Sequence, residues 1–174
     1  QDWLVDPEAP WTWRLDADAA GSGALGDLGA HTIDLASFLV GDAVGGVDRV
    51  SGQLRTFVDE RPVHDDGAVT GYRDVTVDDA YTAQVAYESG ATGTFEASRV
   101  AAGHTNDHAV AVHGSTGSLR FSLDRLNELA VLREGNRGYE TVVVTEESDP
   151  YGGRWWPPGH ALGWEHAVVH ESYE

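Results

Sequence analysis

Between Val47 and Glu146 lie several short stretches in which apolar and polar residues tend to alternate, with turn-forming residues between them. That alternation confines these stretches to strands with one face covered. VDRVSGQLRTFV (47–58) reads as a strand. DAYTAQVAYESGATGTFEASRV reads as a hairpin, with strands at 80–88 and 91–100 about a Ser89-Gly90 turn. NDHAVAVHGSTGSLRFSL gives two strands about Ser115-Thr116-Gly117. LNELAVLRE and YETVVVTE give two more about Gly135-Asn136-Arg137-Gly138. Residues 59–79 are acidic and turn-rich and predict a long loop. Seven strands joined by hairpins make a mostly antiparallel, open sheet, expected over 47–146.

What flanks the strands is different. Residues 1–22 carry Trp, Pro, Asp and Ala, and Pro7 and Pro10 block a helix there, so an irregular lead-in is expected. The apolar spacing of 24–40 predicts a helix entered through a flexible Gly21-Ser22-Gly23, with Gly41 as its C-terminal cap. Residues 149–160 form a Gly/Pro/Trp loop, and a final helix is expected from Ala161. The fold class is therefore α+β, with helices on one face of the sheet. The 174 residues suit one domain, expected to be a piece of a longer protein.

Charge excludes several functions. Twenty-nine acids oppose eleven bases, a net charge of −18, and every base is arginine. No basic footprint for nucleic acid exists, and an anionic membrane would repel the chain. No apolar run approaches the ~20 residues of a membrane span. Acids spread along the chain without lysine predict an acidic surface adapted to high salt, and so a halophilic source. Cysteine is absent, which excludes disulfides and fits a cytoplasmic protein.

The helix itself carries the chemistry. In GALGDLGAHTIDLASFLVG (23–41), Asp27, His31 and Asp34 stand at i, i+4 and i+7, on one helical face. Leu28, Leu35 and Leu39 form a neighbouring apolar stripe, which predicts a buried helix with one reactive edge. Histidine is the side chain best suited to take a proton near neutral pH, and an aspartate one turn away favours its charged form. Gly26 and Gly29 are expected to leave room for a ligand near the backbone. The same pair also reads as a surface ion pair, a satisfied core histidine, or part of a carboxylate–imidazole metal site. GSGALG (21–26) matches G-x-G-x-x-G only superficially, because no strand precedes it.

With its glycine-rich entry, this segment resembles the first helix of the C-terminal domain of the Gfo/Idh/MocA oxidoreductases. Gly23, Asp27, Gly29, His31 and Asp34 match that family's G-x-x-x-D-x-G-x-H-x-x-D pattern. DPEAPWTWRLD resembles the segment that joins the nucleotide domain to this helix. EASRVAAGHTNDHAVAVHGSTGSLRFSL resembles the middle strands, and GHALGWEHAVVHESYE the late helix. The resemblance implies a substrate-binding and oligomerisation domain spanning 1–174, with no Rossmann domain in this chain. It implies an NAD- or NADP-dependent dehydrogenase of a sugar, polyol or similar small molecule, inactive as this chain alone. It implies Asp27 and His31 as catalytic residues, and no metal is expected. Asp34, Arg99, His104, Arg154, His160 and Trp164 are the candidate substrate contacts.

Trp13 and Arg14, in the joining segment, are the candidate cofactor contacts. Other readings stand beside these. Arg99 at a strand end also reads as a salt bridge. Arg154, Trp155 and Trp156 also read as a loop plug, and Trp11 and Trp13 as packing anchors. His108 and His113 read as structural. Alternate residues of the central hairpin, among them Thr82, Gln84, Thr94 and Glu96, form a polar face that a second copy's sheet could cover, giving a homo-oligomer. The alternative to an enzyme is a non-catalytic open-sheet module that only binds or assembles.

Overall fold

The computed structural model describes residues 1–151. The final helix expected from Ala161, and with it Arg154, Trp155, Trp156, His160 and Trp164, lies outside the described residues. The chain divides into two compact units, Gln1–Asn106 and residues 107–174.

In the first unit, β1 (Val47–Arg55), β4 (Ala80–Tyr87) and β5 (Thr92–Ser98) form a three-stranded sheet in the order β1-β4-β5. β2 (Glu60–Asp65) and β3 (Ala68–Asp74) form a separate hairpin. The second unit is a meander of β6 (Ala109–Gly114), β7 (Gly117–Ser122), β8 (Glu128–Arg133) and β9 (Glu140–Val143). Every strand pairing is antiparallel. With one long helix among the described residues, this is the expected α+β class. The strands between 47 and 146 make three sheets, where sequence predicts one.

The hairpins centred on Ser89-Gly90, on Ser115-Thr116 and on 135–138 form where expected. The stretch 59–79 is a correction: it holds β2 and β3. Its turn is Asp66-Gly67, both with positive φ (44° and 80°), the mirror-image turn that matches strand twist. Acids and small residues interrupt the apolar alternation on both sides of this turn. The burial that stabilises the hairpin comes from Arg61 and Pro62, neither of which marks a strand in sequence.

The lead-in is irregular but well anchored. Leu4 and Leu15 are fully buried with Val75 and Val77, and Trp11 and Val100 pack against them. Burial of each leucine is worth about 1.5–3 kcal/mol. Trp11 donates its ring N–H to the Asp74 carbonyl (3.0 Å), and Arg73 stacks on its ring at 3.6 Å. A four-residue helix, α1 (Ala17–Ala20), ends at Gly21, whose φ of 79° caps it.

The long helix α2 (Ala30–Val44) follows a five-residue π turn, Leu25–Gly29. It runs through Gly41 and stops at Gly45, the true cap (φ 75°). Gly29 lies against Tyr81 at the start of β4, and Gly46 accepts from and donates to Glu88 just beyond that strand's end. α2 therefore runs alongside β4. It is not the buried helix that sequence predicts, since none of its residues is fully buried. Leu28, Thr32, Leu35, Ala36, Val40 and Val44 are half-buried, while Leu39 and Phe38 are exposed. Of the predicted stripe, Leu28 and Leu35 keep the inward side, while Leu39 is exposed and its neighbour Val40 is half-buried.

Candidate active site

Three of the predicted residues share an open edge. Asp27 lies in the π turn, His31 in the first turn of α2 and Asp34 one turn on, and all three are exposed. The edge is thus free to meet a ligand, and its side chains carry none of the helix's packing.

Asp78 fixes the start of this segment. Its carboxylate accepts from the Gly23 N–H through Oδ1 and the Leu25 N–H through Oδ2, each at 2.8 Å. Its carbonyl accepts from the Ala24 N–H at 2.9 Å. One residue thus satisfies three successive donors at the helix entry, where a negative charge also suits the helix dipole. Gly21-Ser22-Gly23 is not the flexible entry sequence predicts. A Cβ on Gly23 would lie 1.8 Å from the Asp78 carbonyl oxygen, so only glycine fits.

Arg99 stands behind Asp78. Its Nη2 donates to the Asp78 carbonyl (2.9 Å) and its Nη1 to that of Arg14 (3.3 Å). Nη2 also lies 3.8 Å from Asp79 Oδ1. Arg99 and Asp79 are both buried, and Asp79 accepts from the Phe57 and Val58 N–H groups. Burial pushes the Arg99 pKa down; the charges of Asp79, Asp27 and Asp78 push it back up. Arg99 was expected to contact substrate. Its guanidinium is instead 1% exposed and engaged by protein acceptors, which favours the salt-bridge reading.

Tyr81 holds the other end of the π turn. A Cβ on Gly29 would meet its ring at 2.7 Å, so this glycine makes room for the protein's own tyrosine and not for a ligand. The Tyr81 hydroxyl is buried without a partner. Burial raises its pKa, and Asp78 and Glu96 raise it further. Gly26 is exposed beside Ser22.

Trp13 is exposed, with the Arg14 guanidinium 4.5 Å from its ring centre. It is not the packing anchor that Trp11 is. His104 is exposed in the loop after β5. His113 is exposed on β6 and shares a hydrogen bond with Ser118 (3.0 Å). Among the described residues no three His, Asp or Glu side chains gather as metal ligands would. Sequence reasoning missed Asp78, Asp79 and Tyr81. Their only local signal is VDDAY (77–81), two acids wedged between an apolar residue and a strand.

Residues 21–26 do not fit the pyrophosphate of a dinucleotide. The N–H groups of residues 23–25 are already bound by Asp78, and Asp78 and Arg99 fill the space beside Gly23. GSGALG is therefore no phosphate loop.

The family model of the GFO/IDH/MocA C-terminal domain matches residues 1–120. The chain belongs to this family. It is 36% identical over 188 aligned residues to levoglucosan dehydrogenase of Pseudarthrobacter phenanthrenivorans, covering all of this chain and 47% of that protein. The crystal structure of an oxidoreductase domain protein from Kribbella flavida superposes with a TM-score of 0.83 at 44% identity, over 99% of this chain and 44% of that one. Levoglucosan dehydrogenase in complex with NADH and L-sorbose superposes with a TM-score of 0.84 at 37% identity, over 99% and 45%. This Gfo/Idh/MocA chain thus spans about half the length of the relatives it matches, and corresponds to their C-terminal domain.

Proposed function

We propose that this chain is the substrate domain of an NAD-dependent dehydrogenase acting on a sugar or polyol, and that Asp27 and His31 handle the proton of the reaction. The observation that carries the reading is the open edge of Asp27, His31 and Asp34, set on a rigidly held helix entry. A relative of known structure holds NADH and L-sorbose. A bound nicotinamide supplies the hydride acceptor. What remains for this chain is the hydroxyl proton of the substrate alcohol, which passes to an imidazole nitrogen of His31 as the carbonyl forms. Asp27 stabilises the imidazolium that results. Asp34 and His104 contact the substrate's other hydroxyls. Trp13 and Arg14, stacked and exposed, border the cofactor, NAD or NADP.

In the complete enzyme, His31→Ala should lower kcat by roughly 10²–10⁴, the usual worth of a positioned acid–base group. Asp27→Asn should also lower kcat, and Asp34→Asn should cost less. All three positions are exposed, so melting temperatures should hold. Single-turnover hydride transfer, with melting as control, tests this. Near-wild-type transfer by His31→Ala would remove the stripe from the proton step.

The domain also assembles, as a homo-oligomer through its sheet. Register puts Thr82 opposite Glu96 and Gln84 opposite Thr94 on the hairpin, and all four are exposed. Light scattering in molar salt should report a dimer or larger, and a strict monomer at high concentration would refute this. The protein works in the cytoplasm of a halophile, a reading that rests on its acidic, lysine-free composition and lack of cysteine.

A further inference from the structure

We infer that Asp78 and Arg99 are positioning residues for the proton-handling edge: together with Tyr81 they hold the π turn in the register that puts Asp27 beside His31. This rests on the assignment of Asp27 and His31 above. A π turn is wider than an α turn, so residues before it are rotated relative to those after it. Asp27 lies inside the π turn and His31 just beyond it. Relaxation of Leu25–Gly29 to α geometry would rotate Asp27 about the helix axis relative to His31. Such turns are uncommon and persist where surroundings over-determine them.

Here both ends are gripped. At the entry, Asp78 binds the N–H groups of Gly23, Ala24 and Leu25, and its carbonyl is in turn held by Arg99 Nη2. At the exit, the Ala30 N–H reaches back to the Leu25 carbonyl, and Gly29 rests on the Tyr81 ring. Asp78 sits just before β4, Tyr81 within it, and Arg99 just after β5, so the clamp is built on the sheet.

The test uses the complete enzyme with Asp78→Asn, which turns one of the two acceptor oxygens into a donor. Amide hydrogen exchange at residues 25–29 should accelerate at least tenfold. The kcat should fall about tenfold, with KM changed less than twofold. In a His31→Ala background, Asp78→Asn should have no further effect on kcat, because a clamp acts only through the pair it positions. Equal factors in both backgrounds would overturn the proposal, as would unchanged exchange at 25–29. If Asp78→Asn shows no melting transition, Gly29→Ala is read the same way, since it displaces the turn from the Tyr81 end and leaves the Asp78 bonds in place. Failure of the underlying assignment looks different: His31→Ala alone would then keep wild-type kcat while Asp78→Asn still loosened the turn.

Discussion

At the scale of single residues, the first unit places charge in its interior and leaves its reactive groups outside. Arg61, Asp79 and Arg99 are all buried. Arg61 donates to the carbonyls of Leu4 (2.7 Å) and Asp6 (2.6 Å), and Arg99 lies 3.8 Å from Asp79. Asp79 also opposes the fall that burial imposes on the Arg61 pKa. Tyr81 offers the cleanest test of this interior. Its hydroxyl lacks a partner, so Tyr81→Phe removes an uncompensated polar atom and should leave stability at pH 7 unchanged or higher. The raised pKa adds a pH signature. Above the ordinary tyrosine value of about 10, the unfolded chain loses the phenol proton while the folded protein keeps it. Unfolding then becomes easier as pH rises, and this contribution is intact below that value. Melting curves at pH 8 and pH 10.5 should show Tyr81→Phe losing less stability than wild type between the two. An identical loss would mean that Tyr81 titrates alike in both states. In sequence, Asp27, His31 and Asp34 announce themselves because helical spacing is local. Asp78 does not, because its partners Gly23 and Leu25 lie more than fifty residues away.

At the scale of elements, the turns decide what forms. The Asp66-Gly67 turn needs positive φ at both positions, and Gly67 adopts 80° there without steric cost. Gly67→Ala should destabilise by about 1 kcal/mol, since the position is otherwise open and only the backbone strain counts. A chemical-denaturation midpoint checks this, and an unchanged midpoint would show that the hairpin tolerates a different turn. The other hairpins were legible because Ser-Gly and Gly-Asn-Arg-Gly interrupt clear apolar alternation. β2 and β3 were not, because their fastening comes from Arg61 and from the lead-in rather than from an apolar face of their own. The lead-in shows the same difficulty. Trp11 donates its backbone N–H to the Pro62 carbonyl at 2.7 Å, a contact that no local pattern encodes. The helix was legible in place, but its π turn was not, since Gly26 and Gly29 suit several local geometries. Its inward stripe was legible at Leu28 and Leu35 and failed only at Leu39, which is exposed.

At the scale of the whole molecule, the charge balance governs behaviour more than any single contact. A net charge of −18 over 174 residues destabilises the compact state by self-repulsion at low salt. Raising KCl from about 0.1 to 1 M shortens the screening length from about 10 to 3 Å. The melting temperature should climb over that range, and a flat response would separate this composition from salt adaptation. The two buried arginines have a different consequence, one of cooperativity. Leu4 donates its N–H to the Arg99 carbonyl and gives its own carbonyl to Arg61. Gln1 bridges Ser98 and Ala101, and Thr76 donates its N–H to the Leu15 carbonyl. Peeling the lead-in away would take both carbonyl acceptors from the buried Arg61 guanidinium and the Arg14 carbonyl from Arg99. Partial fraying of this strap is therefore the costly option, and the lead-in, the β2–β3 hairpin and the end of β5 open together or not at all, as one unit of unfolding.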